Sequence, residues 1–309
     1  MALGYLHAER LPSGLRLNAE RARQVIAEQV GVALDLSLAD AAYGVYLLGC
    51  ARMARAVRAV TIERGRDPRD FTLVAFGGNG PLFAAEMARS LEIGAVLVPP
   101  APGVFSALGL LDADVEHHLV RTFLRPLTAE TAGEIEGALA LLEGEATRLL
   151  AGEGYVQTAQ LHRFVDLKYF GQSFELTVPL PADWSGGGSV AALSTAFARE
   201  HERTYGHAAE GDPIQLVNLR VTARVVQAAR PAVRFTGAHT RTGVARAAYF
   251  GRAHGTLDTP VLARADLTST PRPGPLLVDE YDATTLVPPG ASARVDEHGN
   301  IRILTGGHA

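Results

Sequence analysis

The sequence has a single cysteine, Cys50, so no disulfide can form within the chain. Such sparing use of cysteine fits a reducing compartment, and we expect the protein in the cytoplasm. Cys50 lies in an apolar helical pattern, which favours a buried small side chain over a nucleophile. The first residues lack the charged-then-apolar order of a signal peptide, and no apolar run is long enough to span a bilayer. We therefore expect no membrane attachment.

Neither sign of charge is in large excess. The chain has 29 Lys and Arg against 33 Asp and Glu, which gives a formal net charge of −4. Nucleic acids and anionic membranes attract surfaces with excess positive charge, so the composition favours neither as a partner. The 309 residues exceed the usual size of one compact domain, and we expect two domains.

The most informative stretch runs from Phe71 to Leu111. An apolar run, Phe71 to Phe76, predicts a short buried strand. A glycine-rich turn follows, then a helical pattern from Leu82 to Leu91 and a second apolar run from Ala95 to Val98. Strand, turn, helix and strand form a βαβ unit. Its turn lies at the carboxyl end of the first strand, where open α/β sheets bind ligands.

The turn itself consists of Gly77, Gly78, Asn79, Gly80 and Pro81. Glycines allow positive φ and leave no Cβ in the way of a ligand, and proline suits the first position of a helix. Free amides and the positive end of the helix dipole would face whatever lies above the turn, which favours a nucleotide. The spacing matches neither GxGxxG nor the phosphate loop with Lys-Ser/Thr, so a Rossmann site and a P-loop site are both disfavoured. The alternative is a tight turn that binds nothing.

Capping residues and apolar periodicity predict the other elements. Helices are predicted at 19–33, 38–64, 129–153 and 190–205. Strands are predicted at 161–169, 174–178, 214–226, 245–250, 260–262, 276–278, 284–287, 293–295 and 301–304. Residues 227–243 are rich in Arg, Pro, Thr and Ala and are interpreted as a linker. We place the domain boundary at Arg125-Pro126.

Two further groups of residues are open to alternative interpretations. Arg52, Arg55 and Arg58 recur every third residue of a helix, where they meet either phosphate, a partner subunit or only solvent. His201 and His207 invite a metal interpretation. Gly206 breaks the helix between them, however, so the two do not share a helical face. We expect no metal site there.

The densest cluster of metal-ligating residue types spans Asp112, Asp114, Glu116, His117 and His118. No zinc spacing is present, although oxygen ligands of this kind suit Mg²⁺. The alternative is the polar surface of a strand or turn. The residues alone identify no catalytic side chain and no metal ligand.

Five strings, taken in order, resemble the hydantoinase A/5-oxoprolinase family. They are DPRDFTLVAFGGNGPLFAAEMARSLEI, VPPAPGVFSALGLLDADVEHHLVRT, DLKYFGQSFELTV, FAREHERTYGH and GPLLVDEYDATTLVPPG. The resemblance extends from about Leu3 to Ile303. The family includes ATP-dependent 5-oxoprolinases, N-methylhydantoinases and nucleotide-using subunits of acetone-type carboxylases.

The resemblance implies an α/β fold: half of an actin-like (ribonuclease H-like) ATPase core, residues 1–125, followed by a β-rich α+β C-terminal domain, residues 126–309. It implies ATP and Mg²⁺ as cofactors, and it assigns nucleotide contact to Gly77, Gly78, Asn79, Gly80 and Pro81. ATP would phosphorylate the amide oxygen of a cyclic amide such as 5-oxoproline or a hydantoin, which water then attacks. The alternatives are a subunit of an acetone- or acetophenone-type carboxylase and a non-catalytic assembly subunit.

The chain departs from the family pattern at several points. Family members usually carry His where this chain has Phe83, Ala where it has Asn79, and Arg where it has Lys168. Phe83 removes a candidate proton carrier. The Asp-Gly-Gly-Thr-type phosphate loop of the first ATPase half is absent from these residues. The chain therefore resembles a C-terminal half: a split subunit, a truncated gene product or a fragment. We expect a separate partner chain to carry the N-terminal ATPase half, and a hydantoinase B-type subunit as a further partner.

Overall fold

The computed structural model describes residues 1–7, 17–155, 159–181, 184, 190–209, 211–226 and 244–306. The predicted linker, 227–243, lies outside these residues. The chain divides into two compact units. The first contains Met1–Ile62, Asp67–Leu111 and Ala232–Ala309, and the second contains Glu63–Arg66 and Asp112–Pro231. The boundary predicted at 125/126 separates two domains of the family's architecture. The division into compact units does not test it, so it stays a prediction.

Side-chain caps begin the first helices of the first unit. Asn18 Oδ1 accepts a hydrogen bond from the Arg21 amide at 2.8 Å, and the Ser37 hydroxyl accepts one from the Asp40 amide at 3.1 Å. Each bond satisfies an amide that the first turn leaves free, so both predicted helix starts are confirmed. A π-helical segment, Ala27–Gly31, separates the first two helices. The helices are α1 (Ala19–Ile26), α2 (Val32–Leu34), α3 (Leu38–Val60), α4 (Gly80–Ser90) and α5 (Phe105–Asp112).

Two mixed sheets complete the first unit. Its strands are β1 (Leu73–Val74), β2 (Ala95–Val98), β7 (Val244–Tyr249), β8 (Thr256–Leu262), β9 (Arg272–Pro273), β10 (Leu276–Asp279), β11 (Thr284–Val287), β12 (Ser292–Val295) and β13 (Ile301–Leu304). One sheet has the order β1-β2-β13-β12-β9 and the other β11-β10-β8-β7. β1 and β2 run parallel, and β13 pairs antiparallel with β2.

The first strand is shorter and more exposed than the sequence predicts. Only Leu73 and Val74 pair with β2, whereas the apolar run extends from Phe71 to Phe76. β1 lies at one edge of its sheet, and Phe71, Val74 and Phe76 are all exposed. A continuous apolar run is typical of a strand covered on both faces, so the prediction of a buried strand is wrong here.

The hydrophobic core of the first unit lies on both faces of the β10–β11 pair. Leu276 and Val278 pack with Val96, Ile301 and the alanines of α4. Leu277, between them, packs on the other face with Tyr46 and Cys50 of α3. This alternation follows from the two-residue repeat of a strand. The tail strands therefore share one core with the glycine-rich turn's helix.

The second unit is one antiparallel sheet with two helices. Its elements are β3 (Val115–Pro126), α6 (Ala129–Gly152), β4 (Gln160–Tyr169), β5 (Leu176–Pro179), α7 (Val190–Tyr205) and β6 (Ile214–Val225), with the strand order β3-β6-β4-β5. Thr128 caps α6 as predicted. Ile135 and Leu139 of α6 and Phe197 of α7 pack with Val165 and Leu219 of the sheet. The predicted strands and helices of this region are confirmed to within a few residues.

Among the residues that the structure describes, no single helix combines the length and apolar composition needed to cross a membrane. One pair, Ala19–Leu34 with Leu38–Arg64, reaches these values only when it is joined across a 91° bend.

Candidate functional site

The glycine-rich turn joins β1 to α4, as the sequence predicts. The Ala75 amide still donates to the Leu97 carbonyl at 2.8 Å, and the Gly77 amide donates to the Pro102 carbonyl at 2.7 Å. Gly77 has φ +81°, a left-handed conformation that favours glycine. A bond to the loop that follows β2 therefore fixes the start of the turn.

The rest of the turn exposes backbone donors. In the part of the chain that the structure describes, the amides of Gly78, Asn79 and Gly80 donate no hydrogen bond, and the Asn79 side chain does not cap α4. Gly78 and Asn79 are exposed, while Pro81 is buried in the first turn of the helix. A Cβ added at Gly78 would lie 3.4 Å from its nearest neighbour, the Asp282 carbonyl oxygen. Unpaired amides at the N-terminus of an eleven-residue helix fit an anionic group such as phosphate.

A second loop lies beside the turn. This loop follows β2. β1 and β2 run parallel, so their carboxyl ends, and the loops that follow them, lie at the same edge of the sheet. Ala101 has φ +49°, and Pro102–Val104 form a 3₁₀ turn that leads into α5. The rings of Phe105 and Phe76 lie 5.5 Å apart, so an aromatic pair also stands at this edge.

The tip of the β10–β11 hairpin is the third component. Asp282 Oδ2 accepts a hydrogen bond from the Gly103 amide at 2.7 Å. Glu280 forms a bidentate ion pair with Arg264, at 2.7 and 2.8 Å. Arg264 also donates to the carbonyls of Val98, Pro99 and Gly299. Three loops from distant parts of the sequence thus meet at one place.

Phe83 takes part in the packing between α4 and α3. Its ring stacks on Tyr46 at 5.2 Å with an interplanar angle of 19°. The Tyr46 hydroxyl donates to the Leu82 carbonyl at 3.3 Å. Burial raises the pKa of the Cys50 thiol, on the same helix as Tyr46, to about 11. The prediction of a buried Cys50 is confirmed, and a raised pKa disfavours its reactive thiolate form.

The acidic and histidine cluster does not converge on a point. His117 and His118 are successive residues of β3 and point to opposite faces. His117 Nε2 lies 2.9 Å from Glu153, and His118 Nδ1 lies 3.0 Å from Thr222 Oγ1. The carboxylate of Asp114 pairs with Arg224 at 2.6 Å. The described residues contain no group of three or more potential ligands placed to hold a metal ion.

His201 and His207 lie close together, with ring centroids 5.0 Å apart. His201 Nδ1 is 2.7 Å from the His207 carbonyl, which can only accept, so Nδ1 carries the proton. Nε2 is therefore the acceptor for the Gln172 amide at 2.7 Å. Both ring nitrogens of His201 are engaged. Arg52, Arg55 and Arg58 are exposed along α3.

Sequence reasoning found the turn but missed two residues beside it. Gly103 and Asp282 are 179 residues apart in the chain. The available signal was local: the polar tip Glu280-Tyr281-Asp282 stands between two buried apolar strands. Such a tip predicts a hairpin, but it does not identify which loop the hairpin contacts.

Comparisons with known proteins agree with the resemblance. Residues 1–119 match the family model described as hydantoinase/oxoprolinase. The chain belongs to the hydantoinase/oxoprolinase family. It is 35% identical to an uncharacterized protein of Methanocaldococcus jannaschii over 98% of its own length and 43% of that protein. It is 29% identical to the caprolactamase alpha subunit of Pseudomonas jessenii, over 100% of this chain and 46% of the subunit.

The crystal structure of the ATP-dependent caprolactamase from the same organism matches with a TM-score of 0.83 at 27% identity. The match covers 99% of this chain and 46% of that one. The hydantoinase/oxoprolinase chain thus spans just under half the length of these relatives. Further matches include 5-oxoprolinase 1 of Arabidopsis thaliana, 26% identical over 88% of this chain and 21% of that protein. The acetone carboxylase beta subunit of Xanthobacter autotrophicus is 28% identical over 68% of this chain and 31% of the subunit.

Proposed function

We propose that this chain is one component of an ATP-dependent cyclic-amide hydrolase of the 5-oxoprolinase/N-methylhydantoinase type. The observation that carries the proposal is the close likeness of nearly the whole chain to an ATP-dependent caprolactamase, at a TM-score of 0.83. Caprolactam, 5-oxoproline and hydantoins are all cyclic amides. The shared chemical problem is an unreactive amide carbon, which ATP can activate by phosphorylating the amide oxygen.

In this proposal the nucleotide lies against the turn Gly77, Gly78, Asn79, Gly80 and Pro81. The free amides that follow Gly77 and the N-terminus of α4 would hold its phosphates. The first unit would then correspond to half of an actin-like ATPase core. Mg²⁺ would neutralise the phosphate charge, since it binds through phosphates and only one or two carboxylates. The turn supplies positioning and backbone donors, which is most of what phosphoryl transfer asks of a protein.

The proposal includes a partner. These 309 residues contain no Asp-Gly-Gly-Thr-type loop, and the relatives are about twice as long as the matched region. A separate chain would supply the opposite wall of the nucleotide site, and a hydantoinase B-type subunit would complete the hydrolase. We expect hydrolysis of ATP and of a cyclic amide only with that partner present.

Two other functions remain as candidates. Similarity to an acetone carboxylase subunit favours an ATP-dependent carboxylase, for which bicarbonate-dependent turnover of acetone or acetophenone is the distinguishing result. A non-catalytic assembly role is favoured by Phe83, because a stacked phenyl ring cannot carry a proton. In that case the complex would bind no Mg-ATP.

Nucleotide contact can be tested on the chain itself, labelled with ¹⁵N-glycine. Titration with Mg-ATP should shift the amide signals of Gly77, Gly78 and Gly80, with a dissociation constant on the order of 1 mM because half of the site is proposed to lie elsewhere. Gly78→Ala should weaken binding about tenfold or more, since the added methyl group obstructs an amide that contacts phosphate. The fold should tolerate this change, because 3.4 Å is an ordinary contact.

Gly94→Ala is the matched control. Gly94 precedes β2 at the opposite end of the strand, and an added Cβ meets nothing within 4 Å there. Its Mg-ATP affinity should equal that of the unaltered chain. Equal affinities in all three proteins would show that the turn does not contact nucleotide. If no amide signal shifts at Mg-ATP concentrations up to about 10-fold above the expected dissociation constant, the result would count against nucleotide binding altogether.

A further inference from the structure

The tip of the β10–β11 hairpin, Glu280 to Ala283, is built into the edge that carries the glycine-rich turn. Asp282 Oδ2 accepts a 2.7 Å hydrogen bond from the Gly103 amide. The approach is close on the side-chain face as well. A Cβ at Gly103 would lie only 2.7 Å from the Asp282 Cβ, so this packing requires glycine.

A chain of hydrogen bonds connects Asp282 to the turn. Gly103 is adjacent to Pro102, whose carbonyl accepts a 2.7 Å hydrogen bond from the Gly77 amide. Asp282 thus fixes the loop after β2, and that loop fixes the residue at which the turn takes up positive φ. The Asp282 backbone also lies next to Gly78, since its carbonyl oxygen is the nearest atom to a Cβ built there.

The hairpin that carries Asp282 is itself anchored. The Glu280 amide donates to the Ala283 carbonyl at 2.9 Å, which closes the tip. The Glu280 carboxylate pairs with Arg264, and Arg264 holds the carbonyls of Val98 and Pro99, where the loop after β2 begins. The Arg264 side chain therefore anchors both the hairpin tip that carries Asp282 and the start of this loop.

We propose that Asp282 is a positioning residue for the nucleotide turn: through Gly103 and Pro102, its carboxylate holds Gly77 in the conformation that presents the free amides. This inference rests on the proposed function. A direct contact between Asp282 and phosphate is disfavoured, because two negative groups repel each other. The charge acts instead on a backbone donor, which strengthens that hydrogen bond.

The test compares Asp282→Ala, Asp282→Asn and a control, Asp258→Ala, in the ¹⁵N-glycine-labelled chain. Asp258 is exposed on β8, so its loss removes the same charge elsewhere in the first unit. Asp282→Ala should speed hydrogen exchange at the Gly103 amide by about tenfold or more and weaken Mg-ATP binding several-fold. Asn retains an acceptor oxygen, so Asp282→Asn should restore most of the protection and affinity. The control should change neither.

Each result separates the two proposals. If the unaltered chain shows no Mg-ATP shifts, the proposed nucleotide site is refuted, and with it this role of Asp282. If the unaltered chain binds and Asp282→Ala leaves either exchange or affinity unchanged, only the positioning role is refuted. If Asp282→Asn protects Gly103 and still loses affinity, the carboxylate contacts the ligand or its metal directly, which also refutes positioning. The remaining glycine signals report whether each variant is folded.

Discussion

Loss of the Arg220 side chain should destabilise the second unit far more than loss of Arg224, although both lie on β6 and on the same face of the sheet. Arg220 Nε donates to both carboxylate oxygens of Asp166, at 2.7 and 2.8 Å, and Asp166 is 0% exposed. Asn218 and Thr177 complete the set of donors to this carboxylate. Arg224 instead pairs with Asp114 and Glu116 at a more exposed site.

The magnitude follows from burial. Arg220→Met leaves a buried carboxylate without its counter-charge, which costs about 3 kcal/mol. Arg224→Met leaves carboxylates that water can reach, so we expect a loss of less than about 1 kcal/mol. For a urea dependence of about 2 kcal/mol per M, these figures correspond to midpoint shifts of about 1.5 M and less than about 0.5 M.

The pH dependence of this difference has a definite sign. Burial alone would raise the pKa of Asp166, but the hydrogen bonds from Arg220, Thr177 and Asn218 outweigh it and hold the pKa below its ordinary value of 3.8. A depressed carboxylate pKa stabilises the fold above the unfolded-state value, and this contribution disappears as the pH falls through the folded-state value. The difference between Arg220→Met and the unaltered protein should therefore be full at pH 7 and shrink below about pH 4.

Trp184 provides a local assay. It is the only tryptophan in the chain, and it lies 6% exposed in the core of the second unit. Its fluorescence during urea unfolding reports on this unit, so the measurement does not require the whole chain to unfold in one step. Equal midpoint shifts for Arg220→Met and Arg224→Met would refute the argument from burial. So would a shift for Arg220→Met that persists unchanged below pH 3.

Two further predictions concern the first unit. Cys50 has a pKa near 11, so only about one thiol in a thousand is ionised at pH 8. A disulfide reagent should therefore label Cys50 in urea and not in the native protein. Rapid labelling of the native protein would contradict the burial of Cys50. Arg264→Met should lower the free energy of unfolding, measured by circular dichroism in urea, by about 3 kcal/mol, because Glu280 and several carbonyls lose their partner. Arg272→Met, exposed on β9, is the control for Arg264→Met, and a midpoint equal to that of the control would contradict this role.

Local signals in the sequence predicted the capped helices well, whereas α5 was not predicted. The side chains of the capping residues Asn18, Ser37 and Thr128 each accept a hydrogen bond from a backbone amide where the helix begins. Gly206, with φ +77°, ends α7 at Tyr205 as expected. These features depend on residues within one or two turns of each other, so they can be read without knowledge of the fold.

Pairing between strands could not be read in the same way. β13 joins the sheet of β1 and β2, and Thr305 donates to the Ile93 carbonyl across 212 residues of sequence. Alternation predicts that Ile301 to Leu304 form a strand, but it does not specify the neighbour. β9 was missed because Arg272-Pro273 has no strand-like pattern and pairs over only two residues.

The same long-range contacts account for the conformation of the exposed turn. Isolated glycines populate many backbone conformations, and fixing each one costs free energy. Here the Pro102 carbonyl holds Gly77, while Asp282 holds Gly103 from a hairpin that Arg264 anchors. A ligand that meets the free amides would therefore find them already ordered, and less of its binding energy would be lost to ordering the loop. The residues that order the turn are thus different from the residues proposed to touch a ligand. They come from distant parts of the sequence, which is why the local pattern around the glycines did not reveal them.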